Sequence, residues 1–118
     1  MSSKPIKVYE YSRKKDLLGA DPIGTNFKGA NLEQTNPRGA NLEKANLKSA
    51  KLHLANFQEA KLEGANLQGA NLKGAPHLTI DQLSKLKTLH DTKLDEEFLI
   101  PLKEKYPALF EEPNSNNQ

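Results

Sequence analysis

The 118 residues include no cysteine, no tryptophan and only seven aromatic side chains. Without cysteine there is neither a disulfide nor a thiolate metal centre, and the redox compartment is unconstrained. No apolar run approaches the roughly 18 residues a transmembrane helix needs, so no membrane association is expected. The basic N-terminus, MSSKPIKVYEYSRKKD, lacks the apolar stretch of a secretory signal, which makes a cytoplasmic protein the expectation. At 36% hydrophobic and 6% aromatic content, material for an ordinary globular core is also scarce. The chain is therefore either partly disordered or cored by a repeated small unit.

A dominant charge is missing too. The formal net charge is +2, divided as +3 over residues 1–14, +2 over 15–75 and −3 over 76–118. No segment carries the strong field of a nucleic-acid binder or of a DNA mimic.

What is present is a period of five. From 20 to 75 every position divisible by five is small, Ala20, Thr25, Ala30 and Thr35 being followed by alanine at each fifth position from Ala40 to Ala75. The next slot is mostly asparagine, and the one after holds Leu or Phe, as in Phe27, Leu32, Leu42, Leu47, Leu52 and Phe57. All seven glycines fall in the last slot of a unit. On an α-helix this period would smear the leucines around every face, and on a flat strand it would send alternate ones to opposite sides. A short extended piece followed by a corner satisfies it. The small and large residues, two apart, point inward together, while glycine supplies the positive φ at the third position of a type II turn. Successive coils then stack at strand spacing.

With units such as GANLE, GANLQGANLKGA and KANLK, the sequence resembles the pentapeptide-repeat family, in particular its small bacterial, cyanobacterial-type members. The resemblance implies a mainly β fold, a right-handed quadrilateral β-helix in which four units make one coil. Residues 15–74 give twelve units, hence about three coils. Twenty-residue stacking places Leu32, Leu52 and Leu72 in one interior column and Phe27, Leu47 and Leu67 in another. Pro22 and Pro37 depart from the pattern in the Leu/Phe slot and read as local irregularities.

Both ends of a solenoid need covering. Residues 1–14 are expected to supply a β cap through IKVYEY, with Leu18 and Ile23 beneath it. Residues 76–110 are expected to form an α-helical cap following the β-helix of 15–75. Thr79 and Gln82 read as a capping box, and Leu83, Leu86 and Leu89 sit at helical spacing, predicting a helix near 80–90. A second helix is predicted near 95–105, kinked or divided at Pro101. Residues 111–118 form a flexible tail.

Candidate chemistry is sparse. His53 lies outward between Glu33 and Lys73 in a stacked column, which reads as a solvated ladder. His77 follows the repeat, and His90 falls at a helix end. No metal-ligand spacing, phosphate loop or nucleophile–base set recurs, so no cofactor, metal or catalytic residue is assigned and the chain is read as non-enzymatic. The outward slots offer two charged columns as candidate protein-contact faces: Lys28 and Lys48, with Gln68 above, and Glu43 and Glu63, with Ile23 at the end. The expected role is a protein–protein interaction or scaffolding module, monomeric or weakly dimeric, with an unidentified protein partner and no nucleic acid. The family resemblance also implies an alternative, a DNA mimic directed at DNA gyrase, disfavoured by near-neutral charge and short length.

Overall fold

The computed structural model describes residues 23–113. The expectations for the N-terminal β cap, for Leu18 and Pro22 and for the last residues of the tail lie outside them.

From Ile23 to Gly74 the chain coils with a period of twenty residues, and each coil rests on the one before through backbone hydrogen bonds. Parallel bridges join Asn26 to Asn46 and Asn46 to Asn66, and likewise Asn31 to Lys51 and Lys51 to Asn71. Each unit contributes only one bridged residue before the next corner, so no continuous strand forms among the described residues. Within a unit, backbone donors serve three purposes. The Leu47 N–H reaches up to the Asn66 carbonyl at 2.8 Å, the Asn46 N–H reaches down to the Thr25 carbonyl at 2.9 Å, and the Ala50 N–H closes the corner on the Leu47 carbonyl at 3.0 Å. The asparagine adds a fourth bond, its Oδ1 accepting from the N–H two residues on, as from Asn46 to Lys48 at 3.1 Å. Such Asx turns explain the preference for asparagine at that slot.

The corner residue has positive φ throughout, as the type II turn demands, near +70° at glycines such as Gly24 and Gly29. The same geometry holds where glycine is absent, including Gln34, Lys44, Ser49, Leu54 and Glu59. Inward leucines and phenylalanines fill the bore, with Phe27, Leu47 and Leu67 buried in one column and Leu32, Leu52 and Leu72 in another. Pro37 is buried in the same role. Lacking an N–H, it cannot donate upward to Asn56, and the coils are joined at that side by the Asn56 N–H to Thr35 carbonyl bond, 3.1 Å, and the Gly39 N–H to Gln58 carbonyl bond, 2.9 Å.

Beyond Gly74 the structure departs from the predicted helix at 80–90. Helix α1 spans only Ile80–Ser84. Its start is the expected capping box, Thr79 Oγ1 accepting from the Gln82 N–H at 3.1 Å and Gln82 Oε1 from the Thr79 N–H at 3.0 Å. It stops because the exposed edge of the last coil captures the backbone that follows. The Gly64 N–H donates to the Lys85 carbonyl at 2.9 Å, and the Lys87 N–H donates to the Ala65 carbonyl at 2.8 Å. Residues 85–95 then continue the stack, with Asn66 bridged to Thr88 and Asn71 to Lys93. The offset here is 22 residues instead of 20, the two additional residues being taken up where α1 replaces an ordinary side. Leu89 and Leu94 are consequently interior residues of the stack, not part of a helical stripe.

Helix α2 spans Glu96–Lys105 and runs through Pro101 without dividing. A 3-10 turn, Pro107–Phe110, follows. Phe98 and Leu102 of α2 are buried in one apolar cluster with Leu83, Leu89 and the coil interior, and Tyr106, Leu109 and Phe110 pack against it.

Candidate functional site

The outward slots lie on four sides, named here by their lowest inward residue: Phe27, Leu32, Pro37 and Leu42. On the Phe27 side the predicted pairing of Lys28 and Lys48 beneath Gln68 is present. The Gly29 N–H binds the Lys48 carbonyl at 2.9 Å, the Ser49 N–H binds the Gln68 carbonyl at 2.8 Å, and the Gly69 N–H binds the His90 carbonyl at 2.9 Å. His90 is thus the fourth member of the column. Its Nδ1 lies 3.1 Å from the Phe110 carbonyl and its Nε2 3.3 Å from Asp91 Oδ2. Both ring nitrogens face acceptors.

Glu43 and Glu63 stack on the Leu42 side above Ile23, through the Gly24 N–H to the Glu43 carbonyl and the Lys44 N–H to the Glu63 carbonyl, both 2.9 Å. Lys85 tops this column and is paired with Asp81 at 3.2 Å. A shallow hollow of about 270 Å³ there contains Glu43, Lys61, Glu63, Asp81 and Lys85, charges of both signs side by side.

On the Leu32 side His53 Nε2 lies 3.3 Å from Glu33 Oε2, with both side chains one-third exposed. His53 Nδ1 is buried without a hydrogen-bond partner. At the next level the Gly74 N–H is held by the Asp95 carboxylate, 3.3 and 3.2 Å from its two oxygens. Asp95 is the N-cap residue of α2, yet its side chain makes no capping bond to that helix. It closes the coil instead. Among the described residues no group of three metal-ligating side chains occurs, and no helix is long and apolar enough to cross a membrane.

Two lysines outside the predicted columns complete the surface. Lys44 and Lys87 border a hollow of about 570 Å³ floored by Asn46, Gly64 and Asn66. Lys44 was readable as an outward corner residue. Lys87 was not, because its place appears only once the 22-residue offset is known; the signal available was the five-residue spacing of Leu89 and Leu94.

Stacked five-residue units, one inward side chain each and a corner after every one, define a four-sided repeat solenoid. The family model for pentapeptide repeats matches residues 23–58 and 55–75, in eight copies. The chain belongs to the pentapeptide-repeat family, and that membership implies the right-handed quadrilateral β-helix. Among solved structures, QnrB1, a plasmid-mediated fluoroquinolone resistance protein, is similar at 20% identity with a TM-score of 0.61, over 78% of this chain and 44% of that one. The chain thus spans less than half the length of that relative. A pentapeptide repeat protein from the thylakoid lumen of Arabidopsis thaliana matches at 27% identity, over 75% of this chain and 71% of that one, with a TM-score of 0.47. One from Nostoc matches at 24% identity over 76% and 94%, with a TM-score of 0.27. No curated protein matches the sequence.

Proposed function

We infer that the chain is a rigid, non-enzymatic interaction module of the cytoplasm, binding a protein partner through its flat outer sides as a monomer or weak dimer. The observation that carries this reading is the backbone ladder. Each outward side chain stands on a unit fixed above, below and at its corner by bonds such as those of Leu47, Asn46 and Ala50. Such a surface is preorganised, and binding to it costs little ordering of the scaffold. The segment after residue 75 acts in this reading as the end cap.

A second reading, gyrase-directed DNA mimicry, comes from the family resemblance, and the fold likeness to a fluoroquinolone resistance protein keeps it in view. The charge pattern speaks against it, since unpaired lysines occupy the outward slots of the Phe27 side, where a DNA mimic needs carboxylates.

Affinity capture from host lysate with the full chain, followed by mass spectrometry, tests the first reading. A protein retained after nuclease treatment is the expected result. Recovery of nucleic acid alone, or turnover of a small molecule by the purified chain, would overturn it. Inhibition of purified gyrase would favour the second reading.

A further inference from the structure

We propose that the Phe27 side, from Lys28 and Lys48 across to the notch between Lys44 and Lys87, is the docking surface for an acidic, extended segment of a partner protein. This deepens the interaction-module reading and rests on it.

Among the described residues no carboxylate is paired with the lysines of this surface. The lysine ion pair among those residues is Lys85–Asp81, and the histidine–carboxylate contacts are His53–Glu33 and His90–Asp91; none engages Lys28, Lys44, Lys48 or Lys87. Residues 25–29, 45–49, 65–69 and 87–91 contain one carboxylate, Asp91, and His90 holds it. Glu111 and Glu112 are exposed and follow the 3-10 turn, whose Leu109 and Phe110 carbonyls meet Leu89 and His90 at the top of this side, away from the notch. The Leu42 side is different, because Lys61 and Lys85 share their hollow with Glu43, Glu63 and Asp81.

The floor of the notch offers donors. Asn46 and Asn66 each turn Oδ1 toward the chain, accepting from the Lys48 N–H at 3.1 Å and the Gln68 N–H at 2.9 Å. A backbone N–H can bond only the amide oxygen, so the orientation of both side chains is fixed and their Nδ2 groups remain for a ligand. Two ammonium groups flanking two amide donors make a place for acceptors carrying negative charge.

The placement of Lys87 strengthens the case. It occupies the slot in which Thr25, Ala45 and Ala65 are buried, but it is exposed. Gly64 opens the space between the lysines, and a Cβ there would stand 3.3 Å from Lys44 Cγ. Lys44 and Lys87 lie two levels apart, roughly 10 Å at inter-strand spacing, within reach of an extended peptide whose same-face carboxylates recur about every 7 Å. The outward slots of this side hold no Phe, Tyr, Trp or arginine, and their single ring, His90, has both nitrogens against protein acceptors, which favours a peptide over nucleic acid.

The test uses the full chain and a fluorescein-labelled deca-glutamate peptide, read by fluorescence anisotropy and by backbone amide shift mapping. Amides of Lys44 to Lys48, Gly64 to Gln68 and Lys87 should move, and binding should weaken as salt is raised. The double variant Lys44→Glu/Lys87→Glu should lose at least tenfold in affinity with an unchanged melting temperature, both side chains being exposed. The charge-matched control Lys61→Glu/Lys73→Glu, on other sides, should lose less than twofold. Equal losses in the two variants, shifts mapped to another side, or tighter binding of duplex DNA at matched salt would overturn the assignment. A lysate protein captured equally by the wild-type chain and by Lys44→Glu/Lys87→Glu would overturn this surface while leaving the interaction-module reading intact. Deca-glutamate bound at the notch with no lysate protein captured would sustain the surface and remove the broader reading.

Discussion

Leu47 and Lys48 are neighbours in sequence with opposite environments. Leu47 is fully buried between Phe27 and Leu67, whereas Lys48 reaches solvent. Leu47→Ala should cost about 2–5 kcal/mol, from lost transfer energy and the cavity left in a column that cannot collapse. Lys48→Ala should stay within about 0.5 kcal/mol. Chemical denaturation of the two variants checks the register, and equal effects would show it to be wrong. Corner residues allow a purely conformational test. Gly24 has a φ of +69°, and nothing lies within 4 Å of where its Cβ would be. Gly24→Ala should therefore destabilise by about 1–2 kcal/mol through backbone conformation alone. Leu54 is the converse case, a leucine at φ +64° with 47% of its surface exposed. Leu54→Gly should stabilise by about 0.5–1 kcal/mol, relief of the left-handed conformation outweighing the entropy of glycine. A loss of stability would show that its contact over Gly74 matters more.

At the scale of elements, the short helix α1 works through Gln82. Its Nε2 donates to the carbonyls of Phe57 at 2.8 Å and Ala60 at 2.9 Å; the Ala60 carbonyl is the one a regular next coil would have bonded, as the Lys61 N–H bonds Ala40, while that of Phe57 also accepts the Ala60 N–H. Gln82→Ala removes both bonds and half of the capping box, and should cost about 1–3 kcal/mol in a thermal or urea melt. Gln82→Glu should be at least as damaging, since it sets carboxylate oxygen against carbonyl oxygen. The repeat was legible because its small slot recurs without interruption from Ala20 to Ala75 and its Leu/Phe slot is broken only at Pro22 and Pro37. Residues 87–95 were not, for a physical reason. Lys87 replaces the small residue and Thr88 the asparagine, no glycine marks a corner after Gly74, and Leu83, Leu86 and Leu89 mimic a helical stripe by coincidence of spacing. Thr88 in fact performs the asparagine's task, its Oγ1 accepting from the His90 N–H at 3.0 Å. Backbone capture by an open sheet edge is a tertiary effect that local pattern does not report. The Lys28–Lys48 and Glu43–Glu63 columns followed from counting by twenty, but the Lys44–Lys87 notch required the altered offset.

For the whole molecule, the C-terminal segment closes the stack donor by donor. The Leu89 N–H, which would otherwise seek another coil, donates to the Leu109 carbonyl at 2.7 Å, and the Thr88 hydroxyl donates to the same oxygen at 3.3 Å. A 1–78 fragment would leave the Leu67, Gly69 and Leu72 N–H groups without acceptors and expose Leu62, Leu67 and Leu72. It should associate edge to edge or aggregate in light scattering. A 1–95 fragment retains these partners but loses Phe98, Leu102 and the Leu109 carbonyl, and should remain folded with a lowered melting temperature. Removing residues 112–118 should leave both oligomeric state and melting temperature unchanged. A monomeric 1–78 fragment that melts like the full chain would show that the segment is no cap, leaving it as a candidate for partner binding.

The 22-residue offset carries a consequence for how such an array can lengthen. Gln82 locks onto Phe57 and Ala60, and Asp95 onto Gly74, so the closing segment is keyed to the last coil and to nothing below it. Units added before residue 55 carry key and lock along together, and the array gains storeys under an unchanged lid. Units added between residues 75 and 79 would part the key from its lock. The molecule can therefore lengthen only beneath its last turn, as a tower is raised by adding floors below a finished roof.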